Sequence, residues 1–434
     1  MALFDRSALN PGVAPREVFA WAMYDFANSG YTTVVLTAVF NAYFVGAVAG
    51  NAPWATLAWT LALAASNALV IVSAPAIGAY ADAHGVKKRL LLLSTVGCVV
   101  GTAGLAFAQP GTVALAVIAV IVSNYFYSMG EGLIAAFLPE ISRRESLGKV
   151  SGWGWSFGYF GGMLTLGLSL AVVLSSQAAG KPASEFVPLT MLVTAVVFAL
   201  AAIPTFVMLR ERASPGAGSG ARHGRTAFER LRHTWRESAR FRDFRWLLVC
   251  GFFYQAGISV VIALAAVYAE QVMGFKQVQT MTLVFLVNIA SAAGAFLFGY
   301  WQDRLGHKRA LAITLWGWVL MVSLAALGQS VGLFWVAATV AGLCMGSSQS
   351  CGRAMVGAMT PPERLAEFYG LWTFSVRLSA IIGPVTYGLV TWATVGNHRL
   401  AIGVTGLFFL VALVVLRKID VQRAEGAAHA PRSA

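Results

Sequence analysis

The chain has 434 residues, of which 58% are apolar and 11% are charged, and its formal net charge is +13. Soluble globular proteins have roughly 45–50% apolar and about 25% charged residues, so this chain has too little polar surface to cover a water-soluble globule. The same composition excludes an intrinsically disordered chain and a small secreted domain held by disulfides. The four cysteines lie in apolar runs without metal-ligand spacing, which is typical of small buried side chains and predicts neither a metal nor a cofactor.

Twelve apolar runs along the chain are long enough to cross a membrane as helices. A bilayer core of about 30 Å needs about 20 residues of helix. Transmembrane β-strands would instead show short segments of alternating polarity, which the sequence lacks. The runs cover residues 18–45, 54–80, 89–108, 112–138, 149–175, 187–209, 246–270, 278–301, 310–328, 331–358, 367–394 and 399–417. The sequence therefore predicts an all-α membrane protein with twelve transmembrane helices in the lipid bilayer.

The lysines and arginines fall almost entirely on one side of this topology. If both termini are cytoplasmic, 26 of the 31 basic residues lie on the cytoplasmic side and three lie outside. Cytoplasmic loops of membrane proteins carry such an excess of Lys and Arg. We therefore expect a multi-pass protein of the cell (inner) membrane with both termini in the cytoplasm. The basic charge faces the anionic inner leaflet, so it predicts no nucleic-acid partner.

One loop motif, G-x3-D-x2-G-x-K-[KR], occurs twice, and the two copies lie 221 residues apart. The same spacing relates Asn67 to Asn288 and a small-residue stripe of the fifth run to one of the eleventh. A constant spacing over separate spans predicts an internal duplication, with a six-helix bundle over 1–209 and a second one with a short cytoplasmic tail over 246–434. The linker over 210–245 is predicted to hold an amphipathic basic helix on the inner leaflet. The motif residues are Gly78, Asp82, Gly85, Lys87 and Lys88 in the first copy and Gly299, Asp303, Gly306, Lys308 and Arg309 in the second.

The repeated loop resembles the signature loop of the major facilitator superfamily, and the likeness extends over essentially the whole chain. The segment Trp21–Ser29 is similar to the first-span motif of the autophagy-related vacuolar effluxers and their bacterial relatives. Phe26 and Asn41 stand where that family usually has tryptophan and proline. The resemblance implies two pseudo-symmetric bundles around a central cavity, alternating access, and movement of small amino acids or related solutes. It also implies that Asp82 caps or pairs with a helix end of the opposite half and so holds the outward-facing state.

Four ionisable residues fall inside the predicted spans: Asp25, Glu131, Arg353 and Arg377. Charges in a membrane are costly unless they are paired or hydrated, so each is a candidate for function. Both acids belong to the N-terminal half and both arginines to the C-terminal half. Two interpretations stay open: a zwitterionic solute bridges an acid and an arginine, or the acids and arginines pair directly and close the cytoplasmic gate. A carboxylate desolvated at this depth could also carry a coupling proton.

Other polar side chains of the spans are candidates for a cavity lining, with ordinary packing between helices as the equal alternative. Trp153, Trp155 and Tyr159 near the start of the fifth run are typical of anchors at the membrane interface. The candidates for the lining are Asn28, Asn124, Tyr127, Tyr254, Gln255 and Gln349.

These patterns favour a carrier over other classes of membrane protein. The sequence has no H-E-x-x-H, G-x-S-x-G or Walker motif, so neither an enzyme nor an ATP-driven pump is supported. It also has no filter-like repeat of the kind that ion channels use. We therefore predict a secondary active transporter for a small solute, best matched by an amino acid or a related zwitterion, with protons as a candidate coupling ion. A multidrug or small-peptide carrier of the same fold is the alternative. Because one chain supplies both halves, a monomer suffices.

Overall fold

The computed structural model describes residues 4–212, 241–275 and 277–429, and these are mainly helical. Twelve helices in the described part of the chain are long and apolar enough to cross a membrane, which confirms the predicted all-α transmembrane fold. They are α1 (Pro15–Tyr31), α2 (Ala55–His84), α3 (Lys87–Gly104), α4 (Val113–Ala135), α5 (Leu147–Ala178), α6 (Ala183–Met208), α7 (Arg242–Gln271), α8 (Gln277–Leu305), α9 (His307–Leu327), α10 (Val331–Ala358), α11 (Leu365–Ala393) and α12 (His398–Arg417). Wider π-helical turns and one short helix continue α1 to Val48, and α13 (Val421–His429) follows α12.

The helices form two bundles, α1–α6 and α7–α12, related by a pseudo-twofold axis. Within the first bundle α1 packs on α5 and α6, and in the second α7 packs on α11 and α12. Between the bundles, α2 packs along α11, and α5 packs along α8. Helices that are six apart in chain order are equivalent in the two bundles. The α2–α11 contact and the α5–α8 contact are therefore related by the pseudo-twofold axis. The duplication seen in the sequence therefore has its counterpart in the packing.

Glycines allow the two halves to approach closely, including the first glycine of each loop motif. A Cβ atom on Gly299 of α8 would lie 2.8 Å from the carbonyl oxygen of Gly148 on α5. A Cβ on Gly78 of α2 would collide with the carbonyl oxygen of Ala366 on α11, and one on Gly370 of α11 would lie 2.7 Å from the carbonyl oxygen of Ala74 on α2. Small residues at such positions let backbones touch, which replaces the hydrophobic driving force that a membrane cannot supply.

The turns α2–α3, α4–α5, α8–α9 and α10–α11 lie on one face of the protein. We call it the basic face, because it carries Lys87, Lys88, Arg144, Lys308 and Arg309. The contacts between halves described below involve α1, α2, α4, α5, α8, α10 and α11, and those made by Asp82 and Asp303 lie directly at this face. The structure is therefore a state in which the halves meet at the basic face.

Two segments begin or end elsewhere than expected. The first turn of α7, from Arg242, lies within the predicted linker, and Glu211 and Arg212 of that linker are bound to the first bundle, as described below. The predicted amphipathic helix covers residues 226–245, of which 226–240 lie outside the described residues, so it stays a prediction; residues 242–245 form the first turn of α7.

Candidate functional site

Asp25 of α1 and Arg353 of α10 form an ion pair between the two halves, with 2.6 Å between Asp25 Oδ2 and Arg353 Nη1. The other two guanidinium nitrogens also have partners: Nε donates to Ser151 Oγ at 3.1 Å, and Nη2 donates to the Ser151 carbonyl at 2.8 Å. The side chains are only 10% and 7% exposed. Every nitrogen of Arg353 is thus occupied by the N-terminal half.

Two tryptophans of the N-terminal half cover the faces of this guanidinium. The Arg353 carbon Cζ lies 4.6 Å from the ring centre of Trp21 and 5.2 Å from that of Trp155. Such cation–π contacts are strongest when the cation is desolvated, as it is here. Gly154 leaves room for the pair, because a Cβ there would lie 2.5 Å from Asp25 Oδ2.

Glu131 of α4 and Arg377 of α11 form the second ion pair between the halves. Its surroundings differ from those of the first pair: the Glu131 side chain is 34% exposed, and Arg377 Nε is buried with no hydrogen-bond partner in the described part of the chain. Glu131 faces the other half and not lipid, since Arg377 is its partner. Its exposure therefore comes from a space between the halves. The Glu131–Arg377 pair borders this inter-half space and is incompletely bonded.

Asn28 and Tyr127 lie beside the second pair. Tyr127 is one helical turn before Glu131, and its ring lies 5.6 Å from Arg377 Cζ and stacks on Tyr31 at 5.0 Å. The hydroxyl of Tyr31 contacts Ser123 Oγ at 2.9 Å. Because α1 and α4 run antiparallel, Asn28, one turn before Tyr31, faces the turn that holds Tyr127. Among the described residues, the oxygen Oδ1 of Asn28 has no hydrogen-bond partner although it is buried, so α1 supplies an unpaired acceptor on the side that faces α4.

The other predicted lining residues divide into three cases. Gln255 of α7 and Gln349 of α10 exchange amide hydrogen bonds of 2.9 and 3.3 Å, and Gln349 lies one turn from Arg353 and is half-buried. Asn124 is buried and donates to Ser66 Oγ of α2 at 3.0 Å, so it joins two helices of the same half. Tyr254 is fully buried, and its hydroxyl has no partner. Gln349 and Gln255 are thus the C-terminal candidates nearest the inter-half space.

The two motif aspartates bind helix N-termini of the opposite half. Asp82 Oδ2 accepts the backbone N–H of Glu367 in the first turn of α11 at 2.9 Å. Asp303 accepts the N–H groups of Gly148 and Lys149 in the first turn of α5, both at 2.9 Å. Carboxylates are favoured there because the first N–H groups of a helix lack intrahelical partners. These contacts hold the halves together at the basic face.

The basic residues of the two motif copies are shifted by one position in the structure. Gly85 and Gly306 both have positive φ, of 61° and 86°, which glycine tolerates best. However, α3 begins two residues after its glycine, whereas α9 begins directly after Gly306. Lys88 and Lys308, not Lys87 and Lys308, are therefore equivalent as second residues of their helices.

Those two lysines make matching contacts. Lys88 Nζ donates to the carbonyl of Leu209 after α6 at 2.6 Å, and Lys308 Nζ donates to the carbonyl of Ile419 after α12 at 2.6 Å. Each lysine thus fastens the last helix of its half. Lys87 is buried and pairs instead with Glu140 and, at 3.9 Å, with Asp82. Arg309 is exposed.

The residues just after α6 close the basic face of the first bundle. Arg212 binds both carboxylate oxygens of Glu17 at 2.8 and 3.0 Å. Glu211 accepts the N–H groups of Lys87 and Lys88. Burial raises the pKa of the Glu211 carboxyl, and the hydrogen bonds from these two N–H groups partly offset the shift. The start of the linker is thus part of the N-terminal half.

Nothing in the sequence indicated that Ser151, Trp21 and Trp155 contact Arg353. Trp155 was expected at the membrane interface, but it lies on the face of α5 that is turned to the other half. Ser151, four residues earlier on the same face, donates to the carbonyl of Ser350 in α10 at 2.9 Å. Because the contact of Ser151 with α10 is known only from the structure, its four-residue spacing to Trp155 is no independent signal in the sequence.

Comparison with known sequences identifies the family. The profile described as "Vacuole effluxer Atg22 like" matches residues 43–429. The uncharacterized MFS-type transporter YxiO of Bacillus subtilis is 25% identical over 408 residues, which cover 92% of this chain and 93% of that protein. Autophagy-related protein 22-1 of Penicillium rubens is 24% identical over 312 residues, or 67% of this chain and 52% of the fungal protein. The chain therefore spans about half the length of that fungal relative.

Solved structures of the same fold agree with this family. The human organic anion transporter MFSD10 (TETRAN) superposes with a TM-score of 0.72 at 17% identity, covering 92% of this chain and 99% of that one. The proton:xylose symporter XylE superposes with a TM-score of 0.73 at 14% identity, covering 93% and 95%. At these identities the likeness shows the fold. With the profile match over most of its length, the chain belongs to the vacuole effluxer Atg22-like family of the major facilitator superfamily, a class of membrane transporters and not of enzymes.

Proposed function

We propose that this transporter carries a small zwitterionic solute, of the amino acid class, across the inner membrane by alternating access. In this proposal the Glu131–Arg377 pair binds the solute, and the Asp25–Arg353 pair is the cytoplasmic gate. The observation that carries the proposal is the contrast between the two pairs. One is buried with every guanidinium nitrogen bonded, whereas the other borders the inter-half space and keeps an unpartnered nitrogen.

The bonding of Arg353 supports its role in the gate. Its partners Asp25 and Ser151 belong to the other half, so these contacts exist only while the halves meet at the basic face. A solute could reach Arg353 only after Trp155 and Asp25 had moved. The Asp82 and Asp303 contacts act at the same level, and they too are lost when the halves separate there.

The composition of the second pair supports a zwitterion as the solute. Arg377 offers a guanidinium for a carboxylate, in the fork geometry that favours arginine for this task. Glu131 offers a carboxylate for an ammonium group, and Asn28 adds a neutral acceptor beside it. A zwitterion would replace one ion pair by two, so neither protein charge would be left unpaired in the membrane.

The charge distribution supports the orientation. The basic face would be cytoplasmic, since Lys and Arg accumulate on that side of membrane proteins. The structure would then be an outward-facing state, with both termini in the cytoplasm. A single chain contributes every residue of both pairs, so the transporter would act as a monomer.

Protons are the coupling ion in this proposal, and Glu131 is the residue that carries them. Protonation of Glu131 would break its ion pair with Arg377 and free the guanidinium for a solute carboxylate. A half-exposed carboxylate in the inter-half space can exchange protons with water, which the buried Asp25 cannot do in this state.

Counterflow in proteoliposomes tests the solute class. Vesicles loaded with an equimolar mixture of the standard amino acids should accumulate the same mixture in radiolabelled form, with saturation. Arg377→Lys should weaken the uptake, because the ammonium cannot form the same fork. Trp318→Phe, a substitution in the core of the second bundle, is the matched control. Uptake of dipeptides or cationic drugs but not of amino acids would refute the solute class and support the alternative carrier.

A further inference from the structure

Trp155 occupies the boundary between the inter-half space and the Asp25–Arg353 pair. Its ring lies 5.2 Å from Arg353 Cζ, and the next aromatic residue on the same face of α5, Tyr159, lies 6.0 Å from it. Arg353 and Asp25 are 6% and 8% exposed, whereas Trp155 is only half-buried. Trp155 faces the other half and not lipid, because Ser151 and Ser156 on either side of it bond to the C-terminal half. Its exposed edge therefore borders the inter-half space.

The indole N–H of Trp155 is buried, and it has no acceptor among the residues that the structure describes. Tryptophan N–H groups usually find a partner when they are buried, and an unpaired one is costly. Trp21, which contacts the same guanidinium, shows the usual arrangement, since its N–H donates to the carbonyl of Ile134 at 2.9 Å. The two rings thus make the same contact with Arg353, but only Trp155 keeps a free donor.

We propose that Trp155 is the positioning residue that couples solute binding to the gate. In the solute-free state its ring covers Arg353. When a solute is bound at the Glu131–Arg377 pair, the indole turns, and its N–H donates to the solute carboxylate. The turn exchanges a cation–π contact for a charge-assisted hydrogen bond of similar strength, and it gives the unpaired N–H an acceptor. It also uncovers Arg353, which water can then separate from Asp25. This inference rests on the proposed function, because it needs a carboxylate in the inter-half space.

The first experiment measures binding by thermal stabilisation of the purified full chain. The probes are the equimolar mixture of standard amino acids and the matching mixture of amino acid amides, which lack the carboxylate. Trp155→Phe keeps a ring over Arg353 and removes the N–H. It should raise the half-saturating concentration of the amino acids about tenfold, the effect of a hydrogen bond to a charged group. For the amides, Trp155→Phe and the parent should agree. Trp155→Tyr, whose hydroxyl restores a donor, should recover part of the loss.

The second experiment measures opening of the basic face with spin labels. Glu145 and Glu363 are exposed, on opposite halves, in the α4–α5 and α10–α11 turns. Labelled cysteines there report the separation of the halves, and the four native cysteines are buried. In the parent, the amino acid mixture should increase the long-distance population. In Trp155→Phe the solute-free distribution should match that of the parent, but the mixture should no longer change it. Trp155→Ala should open the basic face without solute, because Arg353 loses its cover.

The outcomes separate this inference from the proposed function. If the parent binds the amino acids and Trp155→Phe binds them and opens as the parent does, the role of Trp155 is refuted and the proposed function stands. A parent that responds to neither mixture refutes both. Equal losses for amino acids and amides in Trp155→Phe would show a structural role alone and would also refute the inference. Trp318→Phe removes an N–H that is bonded inside the second bundle, to Ser348 Oγ at 3.4 Å, and should change neither readout.

Discussion

Replacement of Asp25 by asparagine should open the basic face, because it removes the charge that balances Arg353 without changing the shape of the side chain. Loss of one partner from a buried ion pair costs about 3–5 kcal/mol. Asparagine keeps one acceptor oxygen, so we take about 3 kcal/mol from the lower end of that range. The pair is 10% and 7% exposed, so solvent screening does not reduce this figure appreciably. The cost falls on the closed state alone, since an open basic face hydrates Arg353. The ratio of the population with a closed basic face to that with an open one should therefore fall by about two orders of magnitude.

The assay is the distance distribution between spin labels at Glu145 and Glu363, measured without solute. Asp25→Asn should move population from the short to the long distance. The double variant Asp25→Asn with Arg353→Gln leaves no unpaired charge, so it should remain closer to the parent than Asp25→Asn alone. A distribution for Asp25→Asn that equals that of the parent would refute the gate. Additive effects of the two substitutions on the ratio of closed to open populations would also refute the gate, because additivity means that the two residues are not coupled.

Three further predictions test other parts of the site. Gly154→Ala should lower the thermal unfolding temperature by the equivalent of about 1–3 kcal/mol, the usual cost of overpacking. Gly167→Ala on the same helix, where a Cβ meets no atom within 4 Å, should not lower it; equal losses would contradict the clash. Asp303→Ala should shift the spin-label equilibrium toward the open basic face by about fivefold, the effect of a lost helix cap of about 1 kcal/mol, and an unchanged distribution would argue against the cap. Glu131→Gln should make uptake independent of a pH gradient. If the parent's uptake rate does not depend on the gradient and Glu131→Gln is fully active, the proposal of proton coupling is refuted.

The elements of the fold were readable from the sequence because each has a local cause. A membrane span needs a continuous apolar run, and the runs correspond to α1–α12 with ends shifted by at most four residues once the continuation of α1 to Val48 is included. The duplicated loop indicated Asp82 and Asp303 as equivalent. The single-residue shift at Lys88 and Lys308 could not be read in this way, because it depends on how many residues lie between each glycine and the next helix.

The site was only partly predictable, because its pairings depend on contacts between the halves. The sequence singled out the four charges but left open which acid meets which arginine. Glu131 and Arg353 are near-equivalent in the duplication, offset by 222 residues, yet they belong to different pairs. Trp155 was read as an interfacial anchor, since tryptophans near span ends usually are. Its actual neighbour, Arg353, is 198 positions away in the chain, beyond the reach of any local pattern.

Both acids lie in the N-terminal half and both arginines in the C-terminal half, and this arrangement explains why such pairs can form a gate. Attraction across the halves stabilises only the state in which the basic face is closed. A transporter cannot work if that state is much more stable than the open one, because the exchange between them would then be slow. A buried ion pair avoids this problem, since the cost of removing two charges from water offsets most of their attraction. The Asp25–Arg353 pair can thus fix how the halves meet while adding little net free energy. A hydrophobic contact of the same size would favour closure strongly, which explains the use of charges here despite the cost of placing them in a membrane.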